Sequence, residues 1–273
     1  MKRRVMVVVA TCALAGTAFA SDAAPALAET WPRVLRVCAD PNNLPFSDSA
    51  GRGFENRIAE LVAGDIGAEV RYTWWAQRRG FIRNTLKARV CDVVMGLPSG
   101  YELALTGQPY YRSSYVFVTR QDLQPPIESF DDPRLRRLKV GVHLIGDDYA
   151  NPPPVSALAR RGIVRNVAGY SIYGDYREPN PPARLVEAVA RGDVDVAVVW
   201  GPLGGYFAGL SEVPLRATPV ARPDDGPGVP FAFAIAMAGR REDTALVRTV
   251  SGVLTRRRED VRRILEQYRV PLR

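Results

Sequence analysis

The chain has 273 residues, of which 47% are hydrophobic and 24% are charged, with 37 Lys and Arg against 29 Asp and Glu. This length provides for one large domain or two small ones with a sizeable core. The only histidine, His143, excludes an HExxH zinc motif and a histidine metal cluster, and it leaves one position for a Ser-His-Asp triad. The sequence also lacks CxxC, GxxxxGK[ST] and a strand-linked GxGxxG, so we expect no cofactor and no metal site.

The N-terminus has the pattern of a secretory signal peptide. Three basic residues at positions 2–4 precede an apolar run over residues 5–19 that ends in small residues. The run is shorter than the ~20 residues that a spanning helix needs, so we predict a cleaved signal over residues 1–20 and no transmembrane segment in the mature protein. Cleavage after residue 28 is the alternative. Three of the eight net positive charges lie in this signal, which leaves +5 from Ser21 on. That excess suits an acidic partner surface or simple solubility, and export argues against nucleic acid.

Removal of the signal leaves two cysteines, Cys38 and Cys91. An oxidising compartment permits a disulfide between them. If Cys38 ends one strand and Cys91 begins a parallel neighbour, however, their Cα atoms would lie roughly 13 Å apart. A disulfide requires less than about 7 Å, so the sequence leaves the Cys38–Cys91 disulfide open.

Helix and strand patterns alternate in the first hundred residues. Apolar residues at helical spacing, including Ile58, Val62 and Ile66, predict a helix that closes near Gly67. The predicted elements are a strand over 34–37, a helix over 55–66, a strand over 70–75, a helix over 79–88 and a strand over 92–96. This β-α-β-α-β order is typical of a parallel sheet covered by helices.

The same alternation is repeated further along the chain. The predicted elements are strands over 115–119, 139–144, 163–167, 195–200, 213–220 and 231–237, and helices over 155–161, 183–190, 243–255 and 258–268. The polar loop over residues 120–137 is long for a connection inside one domain, so we predict that it leads from one lobe to the other. The alternative is a long surface loop within a single domain. We therefore predict two α/β lobes joined by two crossing segments, with lobe 1 over residues 33–119 plus 221–273 and lobe 2 over 120–220. The cleft between them would lie at the carboxyl ends of strands.

Several stretches in this order resemble the type II periplasmic solute-binding proteins. They are LRVCADPNNLPF, GRGFENRIAELVAGDIG, PYYRSSYVFV, KVGVHLIG and ARLVEAVARGDVDVAVVWGPLGGYF. The run YTWWAQRRGFIRNTL, with PNNLPFS, GFENRIAEL, CDVVMGLP and PYYRSSYVFVTR, is similar to the MxaJ/XoxJ family of periplasmic accessory proteins. The resemblance implies a bilobal α/β fold of the type II periplasmic binding protein class, a periplasmic location, and a PQQ-dependent methanol dehydrogenase, with its cytochrome, as partner. No residue separates the lanthanide-type branch from the other.

One departure from amino-acid binders of this fold concerns the ligand carboxylate. Those proteins typically follow the third strand with Thr-x-x-Arg, whose guanidinium grips a carboxylate. Residues 97–105 contain no Arg here. A carboxylate would have to use Arg79, Arg83 or Arg112 instead, or the cleft does not bind an amino acid.

Candidate ligand- or partner-binding residues follow the ends of predicted strands. They are Asp40, Asn42, Asn43, Trp74, Trp75, Arg79, Phe81, Tyr101, Tyr111, Arg112, His143, Asp147, Trp200 and Tyr206. The alternative for the loop residues is to satisfy backbone groups in the turn, and for the aromatic residues it is packing in the core or beneath the cleft. The arginines over residues 256–263 form either a solvated face or a docking patch.

The resemblance, together with the missing Thr-x-x-Arg, implies a non-enzymatic accessory protein, and two alternatives stay open. The first is a binding protein of an ABC importer for a small polar solute. The second is a lyase or dehydratase on the same fold, for which Glu55, Glu102 and Asp147 are acid or base candidates by position only.

Overall fold

A mixed β-sheet organises the part of the chain that this computed structural model describes, which comprises residues 33–144, 152–171, 178–222, 224–226 and 229–273. The strands are β1 (Val34–Ala39), β2 (Asn42–Asn43), β3 (Ser47–Asp48), β4 (Glu69–Trp74), β5 (Val93–Pro98), β6 (Leu105–Arg120), β7 (Val140–Leu144), β8 (Val167–Ser171), β9 (Val196–Trp200), β10 (Leu215–Pro219) and β11 (Ala232–Gly239). The helices are α1 (Phe54–Asp65), α2 (Phe81–Asn84), α3 (Pro153–Arg160), α4 (Arg184–Arg191), α5 (Gly201–Leu210), α6 (Thr244–Arg256) and α7 (Arg258–Gln267). The predicted α/β class is confirmed.

The long strand β6 connects two halves of the sheet, whose order is β4-β1-β5-β11-β6-β9-β7-β8 with β10 also on β6. Residues 105–114 of β6 pair with β11, and residues 115–120 pair with β9 and β10. Strands β4, β1 and β5 are mutually parallel, as are β8, β7 and β9. We call β4, β1, β5, β11 and residues 105–114 the first half, and residues 115–120, β10, β9, β7 and β8 the second half.

Each half is covered by its own helices. Helices α1, α6 and α7 pack on the first half around fully buried residues such as Phe54, Ile58 and Met237. Helices α4 and α5 pack on one face of the second half, and α3 packs on the other, around Phe117 and Leu158. This layering is what the nearly all-apolar strand patterns predict. The lobe limits at residues 119/120 and 220/221 remain a prediction.

Three predicted elements differ markedly from the structure. The helix predicted over 79–88 is only the turn α2, because the backbone of Gly80 is left-handed (φ 85°) immediately before it. The strand predicted over 163–167 is β8 instead, and Val164 is 59% exposed. Strand β6 begins at Leu105 rather than at 115, because its amino-terminal part also pairs with β11.

Helix α5 has no counterpart in the predicted elements. Its sequence GPLGGYFAGL reads as a loop because it holds four glycines. The packing requires small residues there, since a Cβ at Gly204 would collide with the side chains of Val116 and Val199. Close contact with β6 and β9 therefore selects glycine despite its low helix propensity.

The structure joins Cys38 and Cys91 by a disulfide with Cα atoms 5.5 Å apart. The estimate of roughly 13 Å from strand register was wrong. Strand β5 begins at Val93, so Cys91 precedes the strand and does not continue its line. Both cysteines are buried in one cluster with Phe81 and Leu86.

Candidate functional site

A cavity of about 410 Å³ lies between the two halves. The first half contributes Asn43, Phe46, Glu55, Gln77, Gly96, Pro98, Tyr111, Phe233 and Ile235, and the second half contributes Tyr115, Val142, His143, Pro152, Pro153, Pro154, Val198, Trp200 and Leu203. Its volume is within the range of small-molecule sites, about 300–1,000 Å³. The carboxyl ends of β5 and β9 meet at this cavity, as the topology of open α/β sheets predicts.

The described lining of this cavity contains no Lys and no Arg side chain. Most of its surface comes from aromatic, aliphatic and proline side chains. The polar groups are two amides, Asn43 and Gln77, two tyrosines, one histidine and one carboxyl. This composition suits a ligand without net charge, since burying a charge without a partner is costly.

The carboxyl belongs to Glu55, in the first turn of α1. That turn is fixed by backbone bonds, with Phe54 N donating to Pro45 O (2.8 Å) and Glu55 N donating to Phe46 O (2.9 Å). The Asn56 side chain accepts from Gly53 N at 3.0 Å and so caps the helix start. The Glu55 carboxyl packs against the backbone of Gly96 in β5, where a Cβ would collide with its Oε1 atom.

Burial raises the pKa of Glu55 to about 8. The residue is 9% exposed, and in the described part of the chain its carboxyl has neither a hydrogen bond nor an ion pair. The same burial, reinforced by the proximity of Glu55, raises the pKa of Tyr111 well above its ordinary value. At neutral pH the cavity therefore presents a neutral carboxylic acid and neutral phenols.

His143 is also neutral in this site. Burial lowers its pKa to about 4, although a hydrogen bond with the backbone of Pro182 opposes that shift. It lies on β7 and is 6% exposed. His143, the one histidine of the chain, is thus an uncharged polar residue in the wall of the cavity.

The first loop, residues 40–43, is held mainly by its own hydrogen bonds. The buried carboxylate of Asp40 accepts from Asn42 N (2.9 Å) and from Gln77 N (2.7 Å). Asn43 Nδ2 donates to Gln77 Oε1 at 3.2 Å, and both side chains line the cavity. Asp40 therefore acts as a turn residue that positions Asn43 and Gln77.

Asn42 connects the first loop to the second half. Its Nδ2 atom donates to the carbonyl of Glu178 (2.9 Å), and its Oδ1 atom accepts from the backbone N–H of Asn180 (3.3 Å). One amide thus joins the loop after β1 to the segment before α4. These bonds join the two halves next to Asn43, which lines the cavity.

Of the sequence-predicted residues that the structure describes, Asn43, Tyr111, His143 and Trp200 line the cavity, and the others do not. Trp74 stacks on Tyr72 with ring centroids 4.5 Å apart, and Tyr206 stacks on Tyr268 at 5.7 Å. Phe81 and Tyr101 pack in the core around the disulfide, whereas Trp75, Arg79 and Arg112 are exposed. Asp147 lies outside the described residues.

Sequence reasoning placed Glu55 only among enzyme candidates and omitted Gln77 and Tyr115. The available signal for Glu55 was its position at the start of a helix whose next turns are apolar, which places it beside the core. Gln77 and Tyr115 carry no such signal, because only the meeting of distant segments brings them to one cavity. Glu102 is exposed, so it has no part in the cavity.

The C-terminal arginines are paired with nearby acids. Arg256 and Arg257 approach Asp65, Arg262 bonds to Glu266 at 2.8 Å, and Arg263 pairs with Asp260. These pairs favour a solvated face over a docking patch. The described residues include no group of three His, Cys, Asp or Glu side chains that could hold a metal ion. Among the helices of those residues, none is long and apolar enough to span a membrane.

Comparison with known proteins identifies the family. No protein-family model matches the chain. Protein MoxJ of Methylorubrum extorquens is 35% identical over 250 residues, covering 87% of this chain and 81% of that protein. The crystal structure of the periplasmic binding protein XoxJ from Methylobacterium extorquens AM1 has a TM-score of 0.73 and 33% identity, covering 88% of this chain and 99% of XoxJ.

MxaJ from Methlophaga aminisulfidivorans MPT has a TM-score of 0.74 at 24% identity and covers 88% of this chain and 100% of that one. Together with XoxJ it confirms the predicted type II periplasmic binding protein fold. Similarity to MoxJ covers most of both chains at more than 30% identity. The chain belongs to the MoxJ family.

Proposed function

We propose that this protein is a non-enzymatic periplasmic accessory protein that associates with and assists a PQQ-dependent methanol dehydrogenase. The observation that carries the proposal is the similarity to MoxJ and XoxJ over nearly the whole mature chain. The signal-like residues 1–20 support a periplasmic location. The described cavity lining, which has no cation for a carboxylate, distinguishes the site from that of an amino-acid carrier.

An exposed segment after β4 offers a surface for the partner. Trp75 is 44% exposed, and Arg78 and Arg79 beside it are exposed as well. In the described residues no ion pair engages either of these arginines, in contrast to Arg256 of α6 and Arg262 of α7. Tryptophan and arginine are enriched among the residues that dominate binding energy at interfaces. We call residues 75–79 the Trp-Arg segment and assign it to dehydrogenase contact.

Binding of the purified dehydrogenase tests this function directly. We expect biolayer interferometry to show a complex at low salt that weakens as salt rises, because the arginines contribute electrostatic attraction. The double variant Trp75→Ala, Arg79→Ala should bind at least about tenfold more weakly. The matched control is Arg262→Ala, which removes an arginine already paired with Glu266 and should change the affinity less than about twofold.

Two outcomes would contradict the proposal at different levels. Absence of a complex at low salt would overturn the association with the dehydrogenase. A complex whose affinity is unchanged in the double variant would overturn the assignment of the Trp-Arg segment. Circular dichroism of both variants checks that they are folded.

A further inference from the structure

Much of the lining of the cavity between the two halves consists of side chains that cannot carry charge. Phe46 and Phe233 contribute from the first half, and Val142, Val198 and Trp200 contribute from the second. Apolar ligands gain free energy from such walls in proportion to the area that leaves water, about 25 cal/mol per Å². A ligand of matching shape therefore needs only a few polar groups to fix its orientation.

The Glu55 carboxyl is a polar group of the lining that makes no hydrogen bond within the described part of the chain. It is nine-tenths buried, lines the cavity, and is held in place by α1 behind it and Gly96 beside it. A buried carboxyl without a cation remains neutral and retains an O–H donor. A polar group in this position costs free energy unless a partner occupies the cavity.

The titratable groups around Glu55 are tyrosines that supply no positive charge. Tyr72 on β4 donates its hydroxyl to Asn56 O (3.3 Å), and Tyr110 on β6 donates to Met95 O (2.9 Å). Tyr111 is the third, and burial raises the pKa of all three phenols, that of Tyr72 to about 12. They therefore stay neutral up to pH 9, and Glu55 is the group that changes charge.

We propose that this cavity binds an uncharged, mainly apolar small molecule whose oxygen or nitrogen acceptor takes a hydrogen bond from the Glu55 carboxyl. The amides of Asn43 and Gln77 form hydrogen bonds with further polar groups of the same ligand. Anions are disfavoured because no described lining residue is Lys or Arg. Cations are disfavoured because the carboxyl is protonated at neutral pH and the walls are apolar.

This inference goes beyond the proposed function and does not depend on it. The test uses the protein alone, without the dehydrogenase, so a failure of one proposal leaves the other standing. Three probes of equal shape separate the ligand classes. They are the ketone 2-acetonaphthone, the anion 2-naphthoate and the cation 2-naphthylmethylammonium.

Isothermal titration calorimetry at pH 6 and pH 9 gives the decisive comparison. We expect the ketone to bind at pH 6 and both ions to bind at least about tenfold more weakly, because a buried unpaired charge is penalised. The affinity for the ketone should fall severalfold at pH 9, where Glu55 loses its proton and its donor. His143 is neutral at both pH values, since its pKa is about 4.

Two variants sharpen the test. Glu55→Gln keeps a donor at the same position, so the ketone should bind within about threefold of wild type at pH 6 and with equal affinity at pH 9. Val198→Phe fills the cavity from β9 and should abolish binding. Circular dichroism checks the fold of each variant, and the wild-type pH comparison stands if either one does not fold.

The opposite results would overturn the inference. They are binding of 2-naphthoate as tight as that of the ketone, no binding of the ketone to folded wild-type protein, or wild-type affinity for the ketone that is unchanged between pH 6 and pH 9. Equal binding of the ketone by Val198→Phe would show that the ligand lies elsewhere.

Discussion

Two largely buried carboxyl groups beside strand β5 have opposite surroundings. Asp92 directly precedes β5 and accepts from Arg36 Nε (2.8 Å) and from Arg240 Nη2 (2.9 Å). Burial by itself would raise the pKa of Asp92, but the bonds from both arginines outweigh it and lower the pKa below its ordinary value. Glu55 packs beside Gly96 of the same strand without a cation, and its pKa rises to about 8.

The different surroundings of Asp92 and Glu55 show that the two ends of β5 have different roles. We call the amino end, at Asp92, the structural end and the carboxyl end, near Glu55, the ligand-binding end. At the amino end, ion pairs and the disulfide at Cys91 hold β1, β5 and the segment after β11 together. At the carboxyl end, a neutral acid faces a cavity and leaves its hydrogen bonds to whatever occupies it. Ligand sites in open α/β sheets lie at the carboxyl ends of strands. The stabilising ion pairs of β5 lie at its opposite end, away from the cavity.

Loss of the disulfide should have the largest effect on the structural end. The bond closes a loop with a sequence separation of 53, and loop closure of that length is worth about 4 kcal/mol. We expect Cys38→Ala, Cys91→Ala to lower the free energy of unfolding by about that amount in urea denaturation. Wild-type protein under reducing conditions is the control, and it should lose a similar amount. A loss below about 1 kcal/mol in both would contradict a stabilising role for the bond.

Removal of the Asp92 carboxylate should have the next largest effect. Asp92→Ala leaves Arg240, which is 10% exposed, with Asp243 as its remaining acid, and leaves Arg36 without one. We expect a loss of about 3 kcal/mol, at the low end for a broken buried pair because Arg36 is 42% exposed. Glu266→Ala removes one acid of an exposed pair and should cost less than about 1 kcal/mol. Equal urea midpoints for the two variants would argue against the assigned difference.

The pH dependence of stability should show the smallest effect and tests the ligand-binding end. The folded pKa of Glu55, about 8, is above the ordinary 4.5, so the unfolded state binds fewer protons between these values and stability falls as pH rises. The lowered pKa of His143 acts in the opposite direction, mainly below its ordinary 6.5, and it offsets only a few tenths of a kcal/mol above that pH. From pH 6.5 to 8 we therefore expect a net loss of about 1 kcal/mol, and Glu55→Gln should remove the Glu55 contribution to it. A wild-type unfolding free energy that does not fall over this interval would contradict a neutral Glu55.

Local patterns predicted most of the elements, because the hydrophobic periodicity of a helix or strand depends only on residues close together in the sequence. The helix predicted over 55–66 differs from α1 by one residue at each end, and the strand predicted over 139–144 differs from β7 by one. The exceptions needed distant partners. The amino-terminal part of β6 is extended through its pairing with β11, and α5 is helical despite its glycines because it packs on β6.

The candidate site was less predictable than the fold. Strand ends pointed to Asn43, His143 and Trp200, since the carboxyl ends of strands converge in this topology. The Trp-Arg segment was singled out by composition, and the structure leaves its Trp75, Arg78 and Arg79 exposed and outside the cavity lining, whereas Gln77 of the same segment lines the cavity. The pairing of Cys38 with Cys91 could not be decided from strand register, because Cys91 lies before the strand begins.

The sequence by itself determined the α/β class, the signal-like N-terminus, the family resemblance and the lack of an Arg after the third strand, because each is a property of residues close together in the chain. Only the tertiary structure decided the protonation of Glu55 and the hydrogen bonds that join Asn42 to the segment before α4. A pKa depends on burial and on the charges that distant segments bring near, and neither is visible in the residues adjacent to Glu55. The chemical character of the cavity is therefore a result of the fold rather than of any single motif.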